Sequence, residues 1–277
     1  LFFLQNSIFA YGIRNSLTEE DDFSDEDVLE ISLFAGGALM GIIFHEIGHM
    51  IIDKYEVPIF NNEEDVADSF MAWYLIQIPE DYATREDYEQ AAKGPHLILQ
   101  HITDYYYYKN LLGTDTTNEY GSHSTDVRRF YNLACFMKGG NPEVFDSYIA
   151  KRGLAYVVEG ENCEVSYAQM YNAWWYTLED YYISDLTKQK GKFILEYEGS
   201  EDTHIEFFSI ATKELIQAYA DVFAVLLPND IILRFEDCDG DINAYYVSKE
   251  NKIKICYELV EEFIYTRADI MDLRNNL

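Results

Sequence analysis

A pair of histidines near the start of the chain has the spacing of a metal site. His45, Glu46 and His49 belong to an HExxH motif, here HEIGH. Residues four positions apart lie on the same face of a helix, so both imidazoles can reach one ion. Glu46 can instead face a water molecule beside the ion. Zinc lowers the pKa of such a water to about 7, and a carboxylate can then accept its proton.

A cluster of acidic residues further along supplies candidate third ligands. Glu64 follows a turn marked by Pro58 and can return to the two histidines if a second helix begins there. Asp68 shares a helix face with Glu64 and could accept a hydrogen bond from the outer nitrogen of a ligand histidine. Glu63 is the rival third ligand, and a solvated acidic helix end is the alternative interpretation. Three protein ligands leave a position for water, which is typical of catalytic zinc.

The flanking sequence predicts the helices that position these residues. Ser24 is a suitable N-cap for a helix through Lys54, because acidic residues fill the first turn, where the helix dipole favours them. Pro58 and the Asn61–Asn62 pair predict a turn. One of these asparagines should cap a second helix, which the pattern places at Asp65 to Ile78.

The rest of the chain separates into a helical part and a mixed part. Residues 84–184 are predicted to be mainly helical, with breaks at Gly113, Gly121 and Gly139–Gly140. Strands are predicted at 193–198, 231–237, 244–248 and 252–257, and helices at 212–227 and 257–274. The expected fold class is α+β, with a helical half at 1–188 and a mixed half at 189–277. Each half alone would expose an apolar face, so the C-terminal strands should pack against the catalytic helices.

Composition restricts the class of partner. The formal net charge is -30, and 48% of the residues are hydrophobic, enough for a large core. So acidic a surface repels phosphate, and nucleic acid is therefore not expected as a partner. The longest nearly apolar run, Ile31 to Phe44, is shorter than a bilayer requires, so no membrane span is predicted.

The four cysteines give information about the cellular compartment in which the protein is found. None lies in a CxxC pair, so a cysteine zinc site is not expected. Pairing by proximity predicts two disulfides, Cys135–Cys163 and Cys238–Cys256, and four buried thiols are the alternative. Disulfides would fit a secreted or periplasmic protein, while a cytoplasmic location stays open.

The stretch that carries the motif resembles a known family. FHEIGHMIIDKYEVPIFNNEEDVADSF (residues 44–70) is similar to the gluzincin pattern of HExxH followed by ExxxD. It resembles more closely a bacterial family of metallopeptidases, mostly uncharacterised, with HExGH, a proline-containing turn and EEDxAD. The likeness continues through HSTDVRRFYNLACFMKGGNP (123–142) and CEVSYAQMYNAWW (163–175). Arg128 stands where that family usually has glutamine.

The resemblance implies a zincin-like fold and zinc-dependent hydrolysis of a peptide or protein substrate. The site residues that it implies are the ligands His45, His49 and Glu64, the general base Glu46, and Asp68 as support for a ligand histidine. The rival hypothesis, from another class, is a zinc-stabilised scaffold that keeps the ligands but never turns a substrate over.

Two residues outside the motif have open interpretations. His123 is, by the resemblance, a candidate donor to the oxyanion of the tetrahedral intermediate, and the alternative is an ordinary loop histidine. Arg129 could pair with an acid of the site or form a surface ion pair.

The C-terminal region resembles the N-terminal portion of the same family. The likeness lies in residues 191–199 and 227–263, which here follow the HExxH helix instead of preceding it. A circular permutation would explain this order, and so would a chain cut from a tandem protein. If Asn243 and Tyr245 line the cleft, their strand could bind extended peptide by edge pairing.

Overall fold

The computed structural model describes most of the chain. The described residues are 13, 17, 23–60, 62–82, 88–114, 124–154, 162–184, 191–200, 202–223, 226–227 and 229–275. They are mostly helical and include a mixed sheet of four strands, which is compatible with the predicted α+β class.

The bounds of the strands follow the sequence pattern closely, whereas those of some helices differ from it. The helix predicted at 65–78 spans 63–82, the one predicted at 212–227 spans 213–223, and a helix at 203–211 was not predicted. The helices are α1 (Asp25–Lys54), α2 (Glu63–Tyr82), α3 (Tyr88–Leu112), α4 (Asp126–Gly140), α5 (Pro142–Lys151), α6 (Cys163–Ser184), α7 (Thr203–Ala211), α8 (Lys213–Phe223) and α9 (Tyr257–Asn275). The strands are β1 (Phe193–Tyr197), β2 (Ile231–Glu236), β3 (Ala244–Val247) and β4 (Lys252–Cys256). Each strand matches its predicted range to within one residue.

Helix α1 begins at the predicted cap. The backbone N–H of Asp27 donates to Oγ of Ser24 at 3.2 Å, and the Asp27 carboxylate accepts from the backbone N–H of Ser24 at 2.8 Å. By length and composition this helix could cross a membrane. However, 83% of its most apolar stretch is buried inside the protein, and the core helix of a globular protein has the same properties.

Contacts divide the chain into two compact units. The first contains residues 1–46 and 184–277, and the second contains residues 47–183. The division falls inside the continuous helix α1, between Glu46 and Ile47. The first unit therefore contains both the part of α1 up to Glu46 and the C-terminal region of the chain. Domain bounds at 1–188 and 189–277 stay a prediction.

Contacts in the first unit join α1 to the C-terminal helices. Phe44 packs edge-to-face on Tyr219 of α8, with ring centroids 5.5 Å apart. Arg267 of α9 pairs with Glu30, and its guanidinium carbon lies 5.9 Å from the centroid of the Phe34 ring. These contacts come from C-terminal helices, so the predicted packing of the C-terminal strands against the catalytic helices stays a prediction.

The sheet of the first unit has the order β1-β2-β4-β3. Strands β1, β2 and β4 are parallel, whereas β3 runs antiparallel to β4 and lies at the edge. Alternate side chains of β2 and β4 are fully buried, namely Leu233, Phe235, Ile253 and Ile255. This alternation is the period-two pattern of a sheet that has one face in the core.

The second unit is built from α2 to α6 and the end of α1. A disulfide between Cys135 and Cys163 joins α4 to α6, and in the first unit Cys238 is bonded to Cys256. The pairing by proximity is therefore confirmed. Gly113, in a left-handed conformation with φ +70°, follows α3, and α4 ends at Gly140, as predicted. The predicted break at Gly121 lies outside the described residues.

Candidate metal centre

Three predicted residues come together in one cluster. His45, His49 and Glu64 each offer a ligand atom, and these atoms all lie within 4.8 Å of one another. The two histidines lie one turn apart on α1, and the glutamate comes from the first turn of α2. Nε2 of His49 is 3.4 Å from a carboxylate oxygen of Glu64. The cluster is sheltered, since His45 is 3% exposed.

Two local features place the start of α2 beside the end of α1. Oδ1 of Asn62 accepts a hydrogen bond from the backbone N–H of Glu64 at 3.1 Å, so the predicted asparagine cap is confirmed. Gly48, inside the HExxH motif, lies against Ala67. A Cβ at Gly48 would be 3.0 Å from Cα and from the carbonyl oxygen of Ala67. The absence of a side chain at this position therefore allows the two backbones to approach closely.

Glu63, the rival third ligand, lies beside a different nitrogen of His49 from Glu64. Its carboxylate lies 2.8 Å from Nδ1 of His49, whereas Glu64 lies on the Nε2 side of the same ring. A histidine that donates from Nδ1 to a carboxylate presents the lone pair of Nε2 to a metal. Glu63 is therefore suited to orient His49, and the arrangement favours Glu64 over Glu63 as a third ligand.

Asp68 forms a buried ion pair with Arg129 of α4. The guanidinium donates twice to the carboxylate, from Nε and from Nη2, at 2.7 Å in both cases. The guanidinium carbon also lies 4.1 Å from the centroid of the Tyr106 ring. Burial alone would lower the pKa of Arg129, but the charge and hydrogen bonds of Asp68 hold it above its ordinary value. Of the two interpretations of Arg129 left open by the sequence, the pair is therefore the one with a predicted acid and not an ordinary surface ion pair. The support of a ligand histidine by Asp68 stays a prediction.

Ser124, just before α4, and Arg128, within α4, contact Asp65, which lies on the same face of α2 as Asp68. Oγ of Ser124 donates to a carboxylate oxygen of Asp65 at 2.6 Å, and Nη2 of Arg128 lies 3.6 Å from the other oxygen. Arg128 is the residue that differs from the usual glutamine of the family that the chain resembles. It pairs with Asp65, the residue that follows Glu64 in the sequence. His123 lies outside the described residues.

Glu46 is buried, and its negative charge has a small effect on the pKa of Tyr245 of strand β3. Glu46 is 5% exposed. Burial is the largest cause that raises the pKa of Tyr245; a hydrogen bond from its hydroxyl to Asp241 and the negative charge of Glu46 act in the same direction. Oδ1 of Asn243 accepts from the backbone N–H of Ala244 at 2.9 Å.

Residues 11–178 match a family model, DUF4344, described as a putative metallopeptidase. The match covers more than half of the chain. The chain belongs to this family. The matched range includes the HExxH motif, Glu64 and the two later segments that carry the resemblance, so the predicted relation to metallopeptidases is confirmed at the level of the family. No curated protein and no solved structure matches the chain.

Membership of a metallopeptidase family implies a metal ion, and the cluster on α1 and α2 has a suitable set of donors. Among the described residues, a second group has atoms close enough to share an ion, namely Cys238, Cys256 and Glu258. Its two sulfur atoms are joined in a disulfide, and its carboxylate accepts hydrogen bonds from the backbone of Cys238 and Gly240. The histidine cluster is therefore the better candidate.

Proposed function

We infer that the protein hydrolyses peptide bonds with a zinc ion held by His45, His49 and Glu64. The observation that carries this proposal is the convergence of two imidazoles and one carboxylate, with a second carboxylate, Glu63, on the outer nitrogen of His49. Two nitrogen donors and one oxygen donor are the set that catalytic zinc has in several metallopeptidases. The family relation supports the same conclusion.

The residues of the chain have separate tasks in this proposal. A bound zinc ion would supply a Lewis acid and lower the pKa of water. Glu46, beside His45 and shielded from solvent, takes the proton from the attacking water and passes it to the leaving amine. Asp68 supports a ligand histidine, and Arg129 in turn fixes the Asp68 carboxylate. We assign His123 as the donor to the oxyanion.

We propose a zincin-like arrangement in which strand β3 binds the substrate. Strand β3 pairs with β4 and lies at the edge of the sheet. An extended peptide could add to such an edge through backbone hydrogen bonds. The net charge of -30 favours neutral or basic peptides over acidic ones.

Residues 191–199 and 227–263 resemble the N-terminal portion of the family, although they follow the HExxH helix here. This order of segments fits either a circular permutation or a tandem protein.

The compartment that we propose is secreted or periplasmic. Two disulfides are present, and such bonds persist in oxidising environments and are rare in the cytosol.

The test compares zinc content and peptide hydrolysis in three proteins. The wild type should bind about one zinc per chain and cleave members of a peptide library, and a chelator should abolish cleavage. Glu46→Gln should keep its zinc and lose at least about 99% of its turnover, because the proton acceptor is gone. His45→Ala should lose both zinc and activity.

Two results would decide against the proposal. A wild type that holds zinc but cleaves nothing would favour the zinc-stabilised scaffold. A His45→Ala variant with full zinc occupancy would remove this residue from the ligand set.

A further inference from the structure

A groove in the second unit lies among residues that the proposed chemistry does not use. It has a volume of about 280 Å³ and is lined by Gln77 of α2 and by four residues of α6, namely Tyr167, Ala168, Tyr171 and Asn172. This volume is near the lower end of the range for small-molecule sites. None of the lining residues is acidic or basic, in a protein with a net charge of -30.

Aromatic rings follow one another along α6 at this groove. Tyr167, Tyr171 and Trp175 are spaced four residues apart, so they share one helix face. The rings of Tyr171 and Trp175 are nearly parallel, with an interplanar angle of 4° and centroids 6.4 Å apart. Tyr171 also lies 6.2 Å from Tyr167. Together, these three residues form an aromatic row.

The wall of the groove is held in place by close packing. A Cβ at Gly140 would lie 2.6 Å from a ring carbon of Tyr167, and one at Gly139 would lie 2.1 Å from the carbonyl oxygen of Cys163. The disulfide from Cys135 to Cys163 links the same two helices covalently. Nε2 of Gln77 donates to the Tyr167 hydroxyl at 2.6 Å. Because these contacts already fix the side chains, binding a ligand here would cost little conformational entropy of the site.

The polar groups at the groove are amides and a phenol. Asn172 is exposed, and its amide offers both donors and an acceptor. Gln77 brings a second amide from the opposite helix. Neighbouring hydroxyls of a sugar are themselves donors and acceptors, and the C–H faces of a sugar ring stack on aromatic rings. A proline-rich peptide also packs on aromatic rows, but it offers mainly carbonyl acceptors and would leave the amide acceptors unused.

We propose that this groove binds a neutral saccharide, stacked on Tyr171 and hydrogen-bonded by Asn172 and Gln77. The proposal is independent of the metal centre and of its activity. It gives the protein a site for a glycan, either free or attached to a peptide.

Calorimetric titration tests the site with four probes: maltotetraose, cellotetraose, chitotetraose and a proline-rich decapeptide. At least one tetrasaccharide should bind, with an affinity that hardly changes with salt because the groove residues carry no charge. Tyr171→Ala and Asn172→Ala should each weaken that binding about tenfold or more. Tyr131→Ala, which removes a partly exposed tyrosine of α4 outside the groove, should leave it unchanged.

Thermal unfolding of each variant shows that it is folded before it is titrated. The proposal is overturned if no tetrasaccharide binds at about 10 mM, a concentration that would fill a site with a Kd of about 1 mM. It is also overturned if the decapeptide alone binds, or if Tyr171→Ala binds a tetrasaccharide as tightly as the wild type.

Discussion

Two adjacent glutamates lie beside different nitrogen atoms of one imidazole ring. Glu63 lies at Nδ1 of His49 and Glu64 at the Nε2 side. Consecutive residues of a helix project about 100° apart, so neighbours at the first turn of α2 can reach different atoms of the same ring. The choice between these two carboxylates as third ligand was open in the sequence, because spacing alone does not tell which of them faces the metal.

Glu63→Gln tests the orienting role at the residue scale. The amide oxygen can still accept a hydrogen bond from Nδ1, but it lacks the negative charge that strengthens this bond and makes the imidazole a better donor to the metal. Zinc affinity should therefore fall about 10- to 100-fold while the fold is kept. Competition with a chromogenic chelator measures this affinity. Glu143→Gln, at an exposed position in the first turn of α5, is the matched control and should bind zinc like the wild type. Equal affinity in both variants would show that Glu63 does not orient the ligand.

His96 gives the protein a pH-dependent stability that is separate from the site. It is 4% exposed and packs edge-to-face on Phe145, and burial lowers its pKa to about 4. Because the pKa is lower in the folded state than in the unfolded one, this stability is present above about pH 6.5 and is lost as the pH falls towards 4.

His96→Gln tests this dependence. Between pH 7 and pH 5, His96 should account for a loss of about 2 kcal/mol in the free energy of unfolding. Urea unfolding of the wild type and the variant at both pH values measures it, and the wild type should show the larger decrease. Parallel decreases in the two proteins would mean that His96 titrates alike when folded and unfolded.

At the scale of elements, the approach of α2 to α1 depends on a residue within the motif. Gly48 allows Ala67 to come within contact of the α1 backbone. Gly48→Ala should push the helices apart, lower the free energy of unfolding by about 1–3 kcal/mol and weaken zinc binding.

Gly36→Ala, also in α1, is the matched control for that variant. A Cβ at Gly36 meets no described atom within 4 Å, so this variant should be as stable as the wild type or more stable by up to about 1 kcal/mol. Urea unfolding of the metal-free proteins and chelator competition separate the two variants. Identical behaviour of both would show that the close approach at Gly48 is unimportant.

The elements themselves were largely predictable, with one exception. Alternation and turn residues predicted all four strands, because half-buried strands have a strict period of two. Helix α7 was missed, although Asp202 caps it by accepting from the backbone N–H groups of His204 and Ile205. The predicted helix over 212–227 contains only α8, at Lys213–Phe223. The cap signal at Asp202 could have identified α7.

At the scale of the whole molecule, two disulfides close loops within the two units. Their sequence separations are 28 and 18 residues. Loops of this size predict a stabilisation of about 3–4 kcal/mol each through the unfolded state. Reduction with dithiothreitol should therefore lower the thermal midpoint by several degrees or more, and calorimetry with and without reductant measures it. An unchanged midpoint in fully reduced protein would contradict this expectation.

The sequence by itself determined the local features of this protein. It placed both histidines on one helix face and the first cap at Ser24, because these features depend on residues close in the chain. It limited the second cap to Asn61 or Asn62 and the disulfides to a pairing by proximity with free thiols as the alternative, and the structure decided for Asn62 and for the disulfides. Only the tertiary structure decided that Asp68 pairs with Arg129, that Glu63 takes the outer nitrogen of His49, and that β3 lies at an edge. These contacts join residues distant in the sequence or depend on how helices and strands pack, and local propensity carries no information about that.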